Sequence, residues 1–198
     1  MKIKQAALAG MMGLATVAPV KAQKPVQCIF ETGFNGMIKK EMALYGGMNF
    51  AAAKNKNFAD LFLGANLDAN KNATFLGLFI DNYSWTKNVS SWVRGTLAVS
   101  KDAVNTTLEA SPVRYNVSAG KFNFGINPAY TVYNDALANT TTQGVNTIFQ
   151  SSYSMTPSDK LFLELRYSST AAGSLKDIKF EEPNENNMFY MLSYQKTF

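Results

Sequence analysis

The sequence predicts an all-β fold, a transmembrane antiparallel up-and-down β-barrel of about ten strands, and two observations carry that prediction. Segments of about ten to thirteen residues alternate apolar and polar side chains with a period of two, which gives each strand one apolar and one polar face. Helix signals are nearly absent, and clusters of Asn, Lys, Asp, Gly and Pro separate the segments. A closed barrel is the form that such strands need in a membrane, because it satisfies every backbone hydrogen bond.

The predicted strands follow one another along the chain. The first, around Val26 to Phe34, is weak. Ala73 to Ser84 is ambiguous, because Phe75 and Leu76 begin two apolar sets of opposite parity that compete for the outer face. The remaining segments are Glu41 to Ala53, Leu61 to Leu67, Val93 to Val99, Val113 to Val117, Phe122 to Tyr130, Val145 to Met155, Leu161 to Tyr167 and Tyr190 to Tyr194.

Connection lengths favour ten strands over the alternative of eight. Barrels of this kind alternate short turns with longer loops, and both termini lie on the side of the turns when the strand number is even. Short connections are predicted at Lys54 to Asn57, Trp85 to Ser90, Gly120 to Lys121 and Pro157 to Asp159. Long ones are predicted at Lys101 to Pro112, Asn134 to Gly144 and Thr170 to Asn187. Asp68 to Asn72 breaks the rhythm, since it is short where a long loop is expected.

A soluble β-sandwich also alternates apolar and polar residues, so the membrane assignment depends on further features. The segments approach the roughly nine to eleven residues that cross a bilayer at a tilt. Their polar faces are rich in Asn, Ser, Thr and Gly, which suits a small hydrated lumen. Aromatic rings also gather toward strand ends, where they suit the headgroup level, at Tyr83, Trp92, Tyr130, Tyr133, Tyr153, Tyr167 and Phe198.

The amino-terminal segment differs in composition from the rest. Two lysines precede an uncharged run from Ala6 to Val20, and the segment ends at Ala22. The run is about 15 residues long and interrupted by Pro19, whereas a membrane-spanning helix needs roughly 20. The pattern is typical of a cleaved secretory signal. We therefore expect residues 1 to 22 to be removed and residues 23 to 198 to form a single domain, the barrel.

Charge and cysteine content exclude other classes. The signal carries three of the 19 Lys and Arg residues and none of the 14 Asp and Glu residues, so 16 basic and 14 acidic side chains remain in the mature chain. No clustered basic stripe is present, and a nucleic-acid partner is not predicted. With Cys28 as the only cysteine, no intramolecular disulfide can form. Stability must then come by other means, and a closed hydrogen-bonded barrel would suffice.

The last strand carries a family resemblance. Tyr190, Leu192, Tyr194 and Phe198 share one parity and end on an aromatic. In this pattern the chain resembles small, porin-like outer-membrane β-barrel proteins of Gram-negative bacteria. The resemblance implies that these four residues form the sorting signal read by the barrel-assembly machinery, although Lys196 stands where an apolar residue is usual. It also implies a place in the bacterial outer membrane, among outer-membrane lipid and lipopolysaccharide.

The chain contains no histidine. Acid-base catalysis near neutral pH usually depends on His, and outer-membrane barrel enzymes generally place one beside a Ser or Asp, so catalysis is not predicted. The absence of His, together with a single Cys, removes the usual ligands of a transition-metal site. No glycine pattern that cradles phosphate is present, and no cofactor is predicted.

Charged side chains on the inward parities are the candidate functional residues, and they are Arg94, Arg114, Lys121, Glu164 and Arg166. Charge inside a barrel must be paired or hydrated. One hypothesis is a narrow pore whose basic lining favours anions. The other, which we favour, is a filled lumen in which Glu164 neutralises Arg neighbours, because barrels of about eight to ten strands leave little open cross-section.

The expected function is a structural or narrow-pore role in the bacterial envelope, with small solutes or ions as cargo if the lumen is open. The alternative is a closed barrel that presents surface loops as an adhesin, receptor or envelope-integrity element. The mixed-charge segment from Thr170 to Asn187 is the candidate loop for that role. A secreted soluble β-sandwich is the least favoured interpretation.

Overall fold

The computed structural model describes residues 26–37, 42–54, 57–70, 72–137, 139–171 and 188–198, which form one closed antiparallel barrel. The strands are β1 (Gln27–Met37), β2 (Met42–Lys54), β3 (Asn57–Leu67), β4 (Ala73–Ser84), β5 (Val89–Val99), β6 (Val104–Ala119), β7 (Phe122–Asp135), β8 (Thr140–Ser154), β9 (Asp159–Ala171) and β10 (Met188–Thr197). Each pairs with its neighbours in sequence, and β1 pairs with β10. The predicted fold and the count of ten are confirmed, and the alternative of eight is wrong.

No helix within the described residues is long and apolar enough to cross a membrane.

The alternation of side chains sorts them between an outer face and a lumen. On β3, Leu61 and Leu63 are exposed, whereas Phe62 between them is buried. On β7, Ile126 is exposed and Asn127 beside it is fully buried. The same contrast recurs around the sheet, so large apolar side chains cover the outside of the barrel. A belt of this kind matches the lipid-facing band of membrane barrels.

Strand β4 resolves the ambiguity seen in its sequence. Phe75 is exposed on the outer face. Phe79 pairs with the outward Leu61, whereas Leu78 pairs with the inward Phe62. The set that contains Leu78 therefore points into the barrel, where Leu78 lies beside Phe62 of β3. A buried apolar cluster of Trp92, Ala129 and Ile148 also fills part of the interior.

The connections at one end of the barrel have the predicted short lengths, whereas two at the other end are shorter than predicted. One end carries both described termini and the four short connections 55–56, 85–88, 120–121 and 155–158. The opposite connections are 38–41, 68–72, 100–103, 136–139 and 172–187. Two long loops predicted on this side are wrong, because β6 already begins at Val104 and β8 at Thr140. The predicted signal and most of the mixed-charge loop lie outside the described residues.

The short connection between β3 and β4 is tied by one acidic side chain. The backbone N–H of Asn72 donates to Asp68 Oδ1 at 2.8 Å, and Asn72 Nδ2 donates to Oδ2 at 3.0 Å. These hydrogen bonds hold the pKa of Asp68 below its usual range, because they stabilise the ionised carboxylate. These hydrogen bonds join the two ends of the short connection.

Strand β6 contains a bulge that sets which charges face inward. Its register with β7 shifts between Ala110 and Tyr115. Pro112 lies inside this shift and has no N–H to give to the ladder. The extra residue changes the parity of the strand by one position. As a result, Glu109 before the bulge and Arg114 after it both turn toward the lumen.

Candidate functional site

Four charged side chains meet inside the barrel, and we call them the lumenal cluster: Arg94 of β5, Glu109 of β6, and Glu164 and Arg166 of β9. Arg94 Nε donates to Glu109 Oε2 at 2.8 Å. Arg166 Nη1 donates to Glu109 Oε1 at 2.9 Å, and its Nη2 donates to Glu164 Oε1 at 2.8 Å. Two guanidinium groups thus share two carboxylates. The cluster is formally neutral, which makes the burial of four charges tolerable.

The lumenal cluster bridges the barrel from wall to wall. Arg94 Nη1 lies 3.9 Å from Glu164 Oε2. Their strands, β5 and β9, are separated by three strands in one direction around the sheet and by five in the other. Two nearly opposite walls are therefore joined by side chains. A ten-strand barrel has an interior narrow enough for such a bridge.

Neutral side chains complete the hydrogen bonding of both carboxylates. Glu109 Oε1 also accepts from Thr131 Oγ1 at 3.0 Å and from Asn146 Nδ2 at 2.5 Å. Glu164 Oε2 accepts from Gln150 Nε2 at 2.7 Å. Glu109 is only 1 % exposed and Glu164 only 2 % exposed. A buried ion-pair network whose acceptors are this well satisfied is held in one arrangement.

Aromatic rings fix the two guanidinium groups from the other side. Arg94 Cζ lies 5.3 Å from the centroid of the Trp92 ring. Arg166 Cζ lies 6.0 Å from the centroid of the Phe189 ring. Both separations fall within the range of cation–π attraction. The rings also fill space that water would otherwise occupy beside the charges.

A second polar group occupies the wall formed by β1, β2 and β10. Glu31 accepts from Tyr45 Oη at 2.8 Å, from Asn49 Nδ2 at 2.7 Å and from Gln195 Nε2 at 3.1 Å. The Tyr45 ring packs edge-on against Phe62, with centroids 6.4 Å apart. Among the described residues, no Lys or Arg pairs with Glu31. This group thus places a second buried carboxylate in the barrel, held by neutral donors.

The structure brings three of the five predicted lumenal charges together, namely Arg94, Glu164 and Arg166. Arg114 lies apart from them. Its guanidinium covers Gly125 of β7, where an added Cβ would lie 3.0 Å from Arg114 Nε. Among the described residues this guanidinium makes no ion pair, in contrast to the two in the cluster.

Lys121 does not line the lumen, contrary to the prediction. Lys121 would face the lumen only if it were part of β7, but that strand begins at Phe122. Lys121 instead lies in the β6–β7 turn and is exposed, with Nζ donating to the carbonyl oxygen of Met155 at 3.3 Å. A turn position gives its ammonium group direct access to water.

Sequence reasoning missed both Glu109 and Glu31. Glu109 falls in a segment predicted as a loop, and the parity of the following residues, extended backward, would turn it outward. Pro112 is the signal that could have revealed the bulge, because proline is confined to bulges and edges of a sheet. Glu31 lies on the weak first strand, where its parity opposite Phe30 and Phe34 would have placed it inside.

The terminal strand closes the barrel. Leu192 is exposed on the outer face and pairs with Phe34 of β1. Tyr190 and Tyr194 share its parity, opposite the buried Ser193. Phe198 is 74 % exposed, and its backbone N–H donates to the carbonyl oxygen of Cys28 at 3.0 Å. The four residues of the predicted sorting signal thus form an accessible outward row.

No group of three or more His, Cys, Asp or Glu side chains within the described residues is arranged to hold a metal ion. The thiol of Cys28 is half-buried and free.

Comparison with known proteins finds similarity only among solved structures. No family model matches the chain, and no curated protein matches it significantly. The NanC porin is 11 % identical, with a TM-score of 0.45, and the match covers 86 % of this chain and 99 % of NanC. Outer-membrane OmpT of Vibrio cholerae is 9 % identical, with a TM-score of 0.39 and coverage of 79 % and 56 %. The neisserial surface protein NspA is 12 % identical, with a TM-score of 0.33 and coverage of 87 % and 96 %. This chain thus spans little more than half the length of the Vibrio protein.

Proposed function

We propose that this chain is an integral protein of the bacterial outer membrane with a structural role, and that its barrel is closed to free diffusion by the lumenal cluster. The observation that carries the proposal is the contact between Arg94 of β5 and Glu164 of β9 across the interior. An open diffusion pore would keep water between such walls. Here guanidinium and carboxylate groups take its place.

The membrane location is supported by the outer face of the barrel. Large apolar side chains remain exposed around the sheet, among them Leu44, Leu67, Phe124 and Leu192. Exposed apolar surface on this scale is unfavourable in water and favourable in a bilayer. The polar residues are collected inside, where a membrane barrel holds them.

Closure has an energetic basis. Breaking a buried ion pair by removing one partner costs about 3–5 kcal/mol, because the remaining charge is left uncompensated. Opening the lumen would have to separate such pairs, so the pairs favour the closed arrangement. Tyr45 and Phe62 are also buried inside the barrel and pack against each other. The resting barrel is thus a weak conductor at most.

A narrow pore that prefers anions is the second candidate, and Arg114 is the observation that favours it. This guanidinium faces the lumen and has no carboxylate partner among the described residues. The loop-presenting alternative depends mainly on residues 172–187, which lie outside the described residues.

Solute entry into proteoliposomes tests the proposal. Protein whose folded state is verified by heat-modifiable gel migration is reconstituted, and the vesicles are diluted into an isosmotic solution of a small neutral sugar. We expect swelling no faster than in protein-free vesicles. Swelling that increases with the amount of folded barrel would overturn the proposal and favour the pore.

A further inference from the structure

Beside the lumenal cluster, three side chains around Gly125 have hydrogen-bonding atoms with no partner among the described residues. Arg114 of β6 lies over Gly125. Asn127 is the next inward residue on β7, and Gln150 of β8 is the register partner of Gly125. The unpartnered atoms are Arg114 Nε, both amide atoms of Asn127 and Gln150 Oε1. Buried polar groups are normally satisfied, so a cluster of orphaned ones calls for a partner.

Asn127 is the strongest sign that this place is built for a ligand. Its side chain is 0 % exposed, yet neither its Nδ2 nor its Oδ1 makes a hydrogen bond. An unpaired buried amide costs about 1–3 kcal/mol, and an apolar residue of similar size would avoid that cost. The fold therefore retains a destabilising group directly beside an unpaired Arg114.

We propose that Arg114, Asn127 and Gln150 form a binding site for a small monocarboxylate that also carries a hydroxyl group. Arg114 and the Asn127 amide nitrogen supply donors for a carboxylate, for which a guanidinium is the best-matched side chain. Asn127 Oδ1 and Gln150 Oε1 supply acceptors for the hydroxyl. The unpaired donors and acceptors around Gly125 thus match one small hydroxy acid.

The negative charge of Glu164 beside the proposed site favours a monoanion over a dianion. The carboxylate of Glu164 acts electrostatically on Arg114, and Gln150 Nε2 donates to that same carboxylate. A dianion such as sulfate would meet this negative charge at close range and lack a hydroxyl for the two acceptors. Because Asn127 is fully buried, a neighbouring side chain has to move before the ligand can reach it. The absence of a Cβ on Gly125 gives the guanidinium its resting place.

The experiment measures thermal unfolding of the folded barrel in detergent with sodium glycolate, acetate, sulfate or chloride at equal ionic strength. Binding to the native state raises the unfolding midpoint in proportion to site occupancy. We expect glycolate to raise it saturably above chloride, acetate to raise it less and sulfate not at all. Arg114→Gln should abolish the glycolate response. Lys121→Gln removes the same charge at an exposed turn only seven residues away and should retain it.

Asn127→Leu, which substitutes an apolar side chain of similar size, keeps the test decisive if Arg114→Gln does not fold. Without ligand this variant should unfold at a higher temperature than the parent, because the orphaned amide is gone, and it should show no glycolate response. No glycolate effect on the parent, an equal effect in Arg114→Gln, or a larger effect of sulfate would each overturn the inference. The readout is stability, so the outcome is independent of whether the lumen conducts.

Discussion

Arg94 Nη1 lies 3.9 Å from Glu164 Oε2, although β6, β7 and β8 separate their strands along the sheet. A contact over this span exists because the sheet closes and brings distant strands to face one another. The bore of the lumen is therefore set by side chains and not by the backbone. Substitutions in the lumenal cluster should change permeability while leaving the barrel intact.

The two carboxylates of the cluster should differ in their contribution to stability. Glu109 accepts hydrogen bonds from two guanidinium groups, those of Arg94 and Arg166, whereas Glu164 accepts from the guanidinium of Arg166 and from the neutral Gln150. We expect Glu109→Gln to destabilise the barrel by about 3 kcal/mol and Glu164→Gln by less, because the first leaves two guanidinium groups without their shared charge. Urea unfolding in lipid vesicles measures both. Equal costs, or a larger cost for Glu164→Gln, would contradict the central position assigned to Glu109.

Barrel closure should depend on a glycine of the first strand. A Cβ at Gly33 would lie 2.7 Å from Ser193 Cα, where β1 meets β10, and only a backbone shift could relieve the clash. We expect Gly33→Ala to destabilise the barrel by about 1–3 kcal/mol and to slow its refolding. Gly77→Ala is the matched control, since its nearest neighbouring atom would lie 3.8 Å away, at an ordinary contact distance. A Gly33→Ala variant that folds as well as Gly77→Ala would contradict this prediction, because it would show that β1 and β10 accommodate the added methyl group.

Outer-membrane assembly should depend on Phe198. Its ring ends the outward row of β10, and the resemblance to outer-membrane barrels implies that the assembly machinery reads that row. We expect deletion of Phe198 to lower the fraction of folded protein in the outer membrane several-fold and Phe198→Tyr to preserve it. Fractionation followed by heat-modifiable gel migration measures this. Unchanged assembly of the deletion variant would remove the sorting role.

Most of the barrel can be predicted from the sequence because a closed barrel alternates side chains between an outer face and a lumen. Leu61 and Leu63 lie on the outer face and Phe62 faces the lumen, so period two is visible wherever a strand crosses the apolar layer of the outer face. The alternation weakens beyond that layer, where both faces meet water. The Thr-rich start of β8 at Thr140 to Thr142 therefore resembles a loop in sequence, although pairing with Asn134 and Asp135 makes it strand.

The candidate site could be predicted only in part, since parity locates a residue on a face but not its partners. Arg94, Glu164 and Arg166 were identified from parity, but their meeting depends on barrel closure, which brings β5 and β9 face to face. Glu109 was hidden by the bulge at Pro112, which shifts parity locally. A parity count cannot detect an inserted residue unless a signal such as proline marks it.

Measuring the current across planar bilayers tests directly whether the lumenal cluster closes the barrel. Parent protein is compared with a variant that carries Arg94→Ala and Glu164→Ala together, which removes the wall-to-wall contact while keeping the net charge. Lys121→Ala, at the exposed turn, serves as the control. We expect little or no steady current for the parent and the control, and discrete conductance steps for the double variant. Equal steady conductance in the parent and the double variant would contradict this expectation.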